Sequence, residues 1–200
     1  MNYFQAFPKI LSPDNSGNQI LLTNLLTRVD IIPKLLNNPL VFYSYDIQDG
    51  DTPEIVAHKY YGSVTKFWIV LYANQILDPQ WGWPISSQNF EIFINDKYGS
   101  VSNAYSIIDH YELTSTTLDS ISNETSTSVV IIDQTQYLNT STGTTTYTLP
   151  SGATVTQTIA VAPVYAYDYE LRLNESKRNI KILDVNYAGT IEAQFLDLLS

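Results

Sequence analysis

An α+β fold is predicted by three observations. Strand, turn and helix signals are packed into "FYSYDIQDGDTPEIVAHKYYG" (42–62). A long Ser/Thr-rich stretch then reads as short strands separated by turns. A brief apolar stripe at helical spacing closes the chain.

Taken in order, four segments are expected: 1–40, 41–98, 99–165 and 166–200. The first is an amino-terminal arm. It opens on Tyr3, Phe4 and Phe7, with Pro8 and Pro13 favouring extended backbone. Leu21, Leu22, Leu25, Leu26 and Val29 follow near helical spacing, predicting one or two short helices interrupted near Pro33. In the second segment "FYSYDI" is a strand and "DGDT" a turn. Thr52 is an N-cap, Pro53 opens the helix and Gly62 stops it. "TKFWIVLYANQI" is apolar nearly all round and should be a buried second helix. After "LDPQWGWPISSQ", the alternation of Phe90, Ile92 and Ile94 predicts a closing strand, giving the order strand, helix, helix, strand.

The third segment has few large apolar residues. It is expected to be an exposed β excursion, with disorder as the competing reading for Ser115 to Ser128. In the fourth, Tyr169, Leu171 and Leu173 alternate before a polar turn, and Ile180 and Ile182 return, which predicts a hairpin. "TIEAQFLDLLS" is then a helix capped by Thr190, with Ile191, Phe195, Leu198 and Leu199 on one stripe. About eleven residues make a marginal helix alone, so this one must dock on its own chain or on a partner.

Composition narrows the functional classes. The 200 residues carry 10 Lys and Arg against 20 Asp and Glu, a net charge of −10. No Lys or Arg occurs from Tyr98 to Leu171. Nucleic acid and anionic membrane surfaces would both be repelled. With no cysteine, disulfides and thiolate metal sites are excluded. No stretch approaches 18 continuous apolar residues, and the start lacks a basic head followed by an apolar run, so a soluble product of the cytoplasm is expected.

Residues of the second segment carry a resemblance. Tyr45, Ile47, Gly50, Asp51, Thr52, Ile55, Ala57, Tyr60, Asn74 and Ile76 match, in register, the pattern of a LysM module. The resemblance implies a small βααβ core. LysM modules hold N-acetylglucosamine chains in a shallow groove between the first and last loops. The insertion "DPQWGWPISSQ", with Trp81 and Trp83, departs from that pattern and speaks against carbohydrate binding here. Over most of the chain, "YFQAFP", "LLTNLLTRV", "DGDTPEIVAHKYYG", "FWIVLYANQILDPQWGWP", "DKYG" and "NESKRNIKIL" together resemble the LysM-containing baseplate wedge subunit of contractile-tailed phages, the gene product fifty-three family.

That likeness implies a structural, non-enzymatic role in the virion tail baseplate after synthesis in the host cytoplasm, without a cofactor. The implied partners are other wedge proteins, neighbouring wedges, and the hub and sheath-initiating proteins. The wedges would close into a six-fold ring around the hub. None of the runs that carry the resemblance falls in the Ser/Thr-rich segment, whose contacts it leaves open. Tyr3, Phe4, Phe7, Trp81, Trp83, Phe195 and Leu198 are the candidate protein contacts. For Trp81 and Trp83, sugar stacking and burial under the loop are the other readings. The alternative function is peptidoglycan or chitin binding by the LysM-like segment.

Catalytic and metal readings find little support in the residues. His58 lies four residues after Glu54 on the first helix, which suits a surface pair. His110 and Glu112 would share one face of a strand, either as ligands or as a base with its orienter, but a catalytic zinc wants three protein ligands and the chain has two histidines. A hydrolase built on Asp109 to Glu112 is the enzyme alternative. No catalytic or metal-binding residue is assigned.

Overall fold

The computed structural model describes residues 3–27 and 38–199. The expected interruption near Pro33 lies outside them. In chain order, β1 (Lys9–Pro13) and β2 (Gln19–Thr23) lead to β3 (Phe42–Asp46). Helices α1 (Pro53–Tyr61), α2 (Phe67–Ala73), α3 (Pro79–Gly82), α4 (Ser87–Tyr98) and α5 (Val101–Ala104) follow. Next come β4 (Ile108–Asp119), β5 (Thr125–Ile132), α6 (Gln134–Asn139), β6 (Gly143–Thr148) and β7 (Thr154–Tyr165). Helix α7 (Ala166–Ser176), β8 (Asn179–Leu183) and α8 (Val185–Leu199) close the chain. The mixture is α+β, as the local signals require. The chain forms two units, one of residues 1–87 and 174–200, the other of 88–173.

In the first unit, β3 pairs antiparallel with β8, from Phe42 opposite Leu183 to Asp46 opposite Asn179. The helices between them start where the residues dictate. The Thr52 side chain accepts the Ile55 N–H, Pro53 opens α1, and Gly62 ends it at φ 67°. Val56, Ala57 and Tyr61 face inward from α1. Nearly all of α2 is buried, from Trp68 to Leu71. Val41, Ile47, Ile180, Ile182 and Leu183 complete a core into which α8 inserts Ala188, Ile191, Phe195 and Leu199.

Four expectations are corrected here. Gln19–Thr23 is a strand rather than a helix and pairs with Lys9–Pro13. The turn between them is set by Asp14, whose Oδ1 accepts the Ser16 and Asn18 N–H groups at 2.8 Å, and by Gly17 at φ 83°. The predicted strand at Phe90–Ile94 is helix α4: Phe90 and Ile94 are buried on one helical face while Ile92 is exposed. Tyr169–Leu173 belongs to helix α7, so there is no hairpin with β8, whose neighbour is β3. Thr190 is not a cap but lies inside α8. Asp184 sits at the start of α8 instead, with Oδ1 accepting the Asn186 N–H at 2.8 Å.

The second unit holds a four-stranded antiparallel sheet in the order β5-β4-β7-β6. Ser115 lies opposite Ser128, so that stretch is an ordered hairpin. Threonine suits these strands because its branched side chain fits a pleated surface and pairs across it. Hydroxyls of Thr144 and Thr158 meet at 3.0 Å, and those of Thr146 and Thr156 at 3.3 Å. A bulge between Ile108 and His110 shifts the β4–β7 register. No helix among the described residues is long and apolar enough to cross a membrane.

Candidate functional site

Several of the residues read against the LysM pattern make hydrogen bonds that hold the turn before α1. Gly50 adopts φ 82°, which lets Asp51 face back over the turn. Asp51 Oδ2 accepts the Tyr45 hydroxyl at 2.6 Å, and Lys59 Nζ reaches Oδ1 at 2.8 Å. Burial pulls the Asp51 carboxyl upward, but Lys59, the Tyr45 hydroxyl and the Gln48 N–H outweigh it and leave Asp51 below the usual range. The Asp51 carbonyl accepts the Trp83 indole N–H at 2.8 Å. Tyr60 packs edge-on against Tyr45, centroids 5.4 Å apart. Ile47 and Ala57 are core residues, Ile76 packs beside the core, and Ile55 is exposed.

Asn74 has a role that sequence spacing alone does not give. Its Nδ2 donates to Val70 O and to Lys181 O, both at 2.8 Å, and its Oδ1 accepts the Lys181 N–H at 2.7 Å. One side chain therefore stands in for a neighbouring strand on the free side of β8. Asn174, which sequence reasoning missed, does the same for a loop. It is buried, accepts the Ile85 N–H at 2.9 Å and donates to Ile85 O at 3.0 Å. A buried Asn beyond the expected strand carries no local signal.

The seven candidate contacts separate by burial. Phe7, Trp83 and Phe195 are buried in the first unit's own core, so their side chains do not present a surface. Trp83 is thus not free to stack on a sugar ring. Tyr3 is half-buried, its hydroxyl 2.6 Å from that of Tyr72. Phe4, Trp81 and Leu198 are exposed, Trp81 at 65%. A cavity of about 560 Å³ lies beside this aromatic cluster, walled by Tyr3, Phe4, Trp68, Tyr72, Ile76 and Leu77. The buried Trp68 Nε1 has no acceptor among the described residues.

Gly82 marks a close approach. A Cβ there would sit 2.8 Å from Ile76 Cγ2, a methyl on a stiff branched side chain. Gly82→Ala is expected to cost about 1–3 kcal/mol, the range for overpacking, read as a lowered denaturant midpoint.

In the second unit, His110 lies between two carboxylates. Its Nδ1 is 2.7 Å from Asp109 Oδ2 and its Nε2 is 3.4 Å from Glu112 Oε1, while Arg172 donates to Glu112 at 2.8 Å. Asp109, helped by Glu112, raises the His110 pKa, and Arg172 lowers that of Glu112. Among the described residues no group of three His, Asp or Glu side chains is arranged to hold a metal. The arrangement is a surface chain of ion pairs.

A pH dependence follows from these shifts. The histidine contribution is complete below about 6.5, the unperturbed value, and fades as pH rises through the raised pKa. The glutamate contribution is present above its ordinary value and fades as pH falls through the lowered one. The pair should stabilise most between about pH 4.5 and 6.5. Thermal melts of wild type and His110→Gln should differ most in that window and converge above it.

Chain-wide comparison agrees with the baseplate wedge part of the earlier resemblance. No curated protein matches the chain. The family model described as "Base plate wedge protein 53" matches residues 13–198, nearly the whole length. The chain therefore belongs to the base plate wedge protein 53 family, structural subunits of the phage tail baseplate that associate with its other components in the virion.

Proposed function

We propose that this subunit joins wedge proteins to one another, and neighbouring wedges into a six-fold ring around the hub, without performing chemistry. A LysM-like kernel of β3, α1, α2 and β8 acts as the rigid peg. The order strand, helix, helix, strand supports that description, with its last strand supplied by 179–183. Trp83 is buried and bonded to the Asp51 turn, which speaks against an open glycan groove beside that turn.

The observation that carries this reading is the β1–β2 hairpin. Ile10 lies opposite Leu22 on one face, beside Ile20, and Leu11 lies opposite Leu21 on the other. All five side chains are exposed. A two-stranded hairpin is at best marginal in water, and this one is apolar on both faces. Clamping between partner surfaces would bury both faces at once. Exposed Phe4, Trp81 and Leu198 are the further contacts we assign to the first unit.

Co-purification with the other wedge proteins tests the proposal. Leu11→Asp with Leu21→Asp should remove at least about 3 kcal/mol of interface burial, over a hundredfold in affinity, while the melting temperature stays put. Undiminished capture by wedge proteins would overturn the hairpin's role. Retention of the wild type on purified peptidoglycan, weakened by changes at Trp81, would argue for the carbohydrate alternative.

A further inference from the structure

Strand β5 is an open edge of the four-stranded sheet. Thr125–Ile132 pairs with β4 alone, and no backbone hydrogen bond from another described residue reaches its free side. Eight residues of edge present about 27 Å of unpaired N–H and C=O groups. Val129, Val130 and Ile131 are exposed along it. The strand contains no Pro, Gly or charged residue, and its register with β4 is unbroken.

Soluble proteins shield such an edge with a lysine, a proline, a bulge or a covering element. None of these is found on β5. The bulge in this sheet lies between β4 and β7. No Lys or Arg occurs from Tyr98 to Leu171. Helix α6, which follows β5, turns back on β4, with Tyr137 stacked on Tyr111 at 4.5 Å.

We infer that β5 is a strand-addition site for an extended, cationic segment of another baseplate protein. The inference rests on the assembly role above and gives a task to the Ser/Thr-rich segment. Backbone pairing supplies the contact, and charge selects the occupant. Exposed Glu124 and Asp133 bracket the edge. A second copy of this chain fits poorly. Antiparallel self-pairing along the whole strand sets Thr125 opposite Ile132 and brings Glu124 against Asp133 at both ends. Like charges there are destabilising. A partner strand with Lys or Arg nine residues apart turns both ends attractive in either strand direction. The opposite edge, β6, is shorter, and its one large apolar side chain is Tyr147.

The full-length protein can be titrated with two labelled ten-residue peptides that share an eight-residue Thr/Val stretch and end in Lys or in Glu at both termini. Saturable binding of the Lys-ended peptide is expected, with the Glu-ended one at least about tenfold weaker. The gap should narrow as added salt screens the end charges. Val129→Lys with Ile131→Lys, both at exposed positions, should abolish binding without moving the melting temperature. Glu124→Gln with Asp133→Asn should erase the discrimination, since Asn keeps an acceptor for the Gln136 N–H that Asp133 now caps.

Absent saturation, equal affinity for both peptides, or binding indifferent to the lysine pair would each overturn the inference. Sedimentation showing self-association lost in the lysine pair would name a second copy instead. A lysine-pair chain that assembles into baseplates as well as wild type ends this proposal and leaves the hairpin's role standing. Impaired baseplate assembly in the lysine pair, together with loss of wedge capture in a hairpin variant whose peptide binding is intact, supports both.

Discussion

Phe195→Ala should destabilise the first unit by about 3–5 kcal/mol, enough to unfold a domain of ordinary stability. The ring lies 4.6 Å from Trp68, stacks on Tyr3 at 5.3 Å and meets Phe7 edge-on at 6.1 Å, centroid to centroid. Its removal opens a hole lined by aromatic rings that cannot collapse without leaving their own contacts. Truncation before Thr190 should act more strongly still, because Ile191, Phe195 and Leu199 leave together. Leu198, on the same helix but 60% exposed, provides the control. Leu198→Ala should change the unfolding free energy by no more than about 0.5 kcal/mol and leave the denaturant midpoint nearly in place. Equal midpoints for the two alanine variants would mean that α8 is bound from outside rather than built in.

This expectation decides what the terminal helix leaves open when read from its own stripe. A marginal helix with Ile191, Phe195, Leu198 and Leu199 in line must dock somewhere, and periodicity is silent on whether the acceptor is internal. The parts of the fold that were legible are those fixed by neighbours in the chain. Thr52, Pro53 and Gly62 each act within one helical turn, and α1 begins and ends where they stand. The Ser/Thr-rich strands were legible for the same reason, since threonine's strand preference lies in its own branched side chain.

What failed was non-local or ambiguous in period. Phe90, Ile92 and Ile94 satisfy alternation, yet Phe90 and Ile94 are also four apart, and burial chooses that helical pair. The true partner of β3 is β8, more than 130 residues away, and no local pattern announces it. For β2, a usable signal was present: "DNSG" between two apolar runs is hairpin chemistry, but the doublets Leu21–Leu22 and Leu25–Leu26 also satisfied a helix. Among the candidate contacts, aromatic character identified residues that matter without saying whether they face inward. Phe7 and Phe4 are three apart, and one is buried while the other is exposed.

Trp83→Ala should cost about 3–5 kcal/mol, because the indole both fills space and ties two distant segments together. It is buried, and its Nε1 donates to the carbonyl of Asp51 at 2.8 Å, fixing the segment around Trp83 against the turn before α1. Trp83→Phe separates the two contributions. It keeps most of the apolar bulk but leaves the Asp51 carbonyl unsatisfied, for an expected loss of about 1–3 kcal/mol. The Asp51 carboxylate adds a pH signature that the ring does not. Lys59 and Tyr45 hold its pKa below the usual carboxylate range against the effect of burial, so its contribution is present above about pH 4 and is lost as pH falls through the lowered value. Asp51→Asn should flatten the acid limb of the stability curve, whereas Trp83→Phe should lower the whole curve without changing its slope there. If Trp83→Phe alone removed the acid dependence, the indole and the carboxylate would be acting as one coupled group, and the Trp83 segment would contribute to the turn through electrostatics rather than through packing.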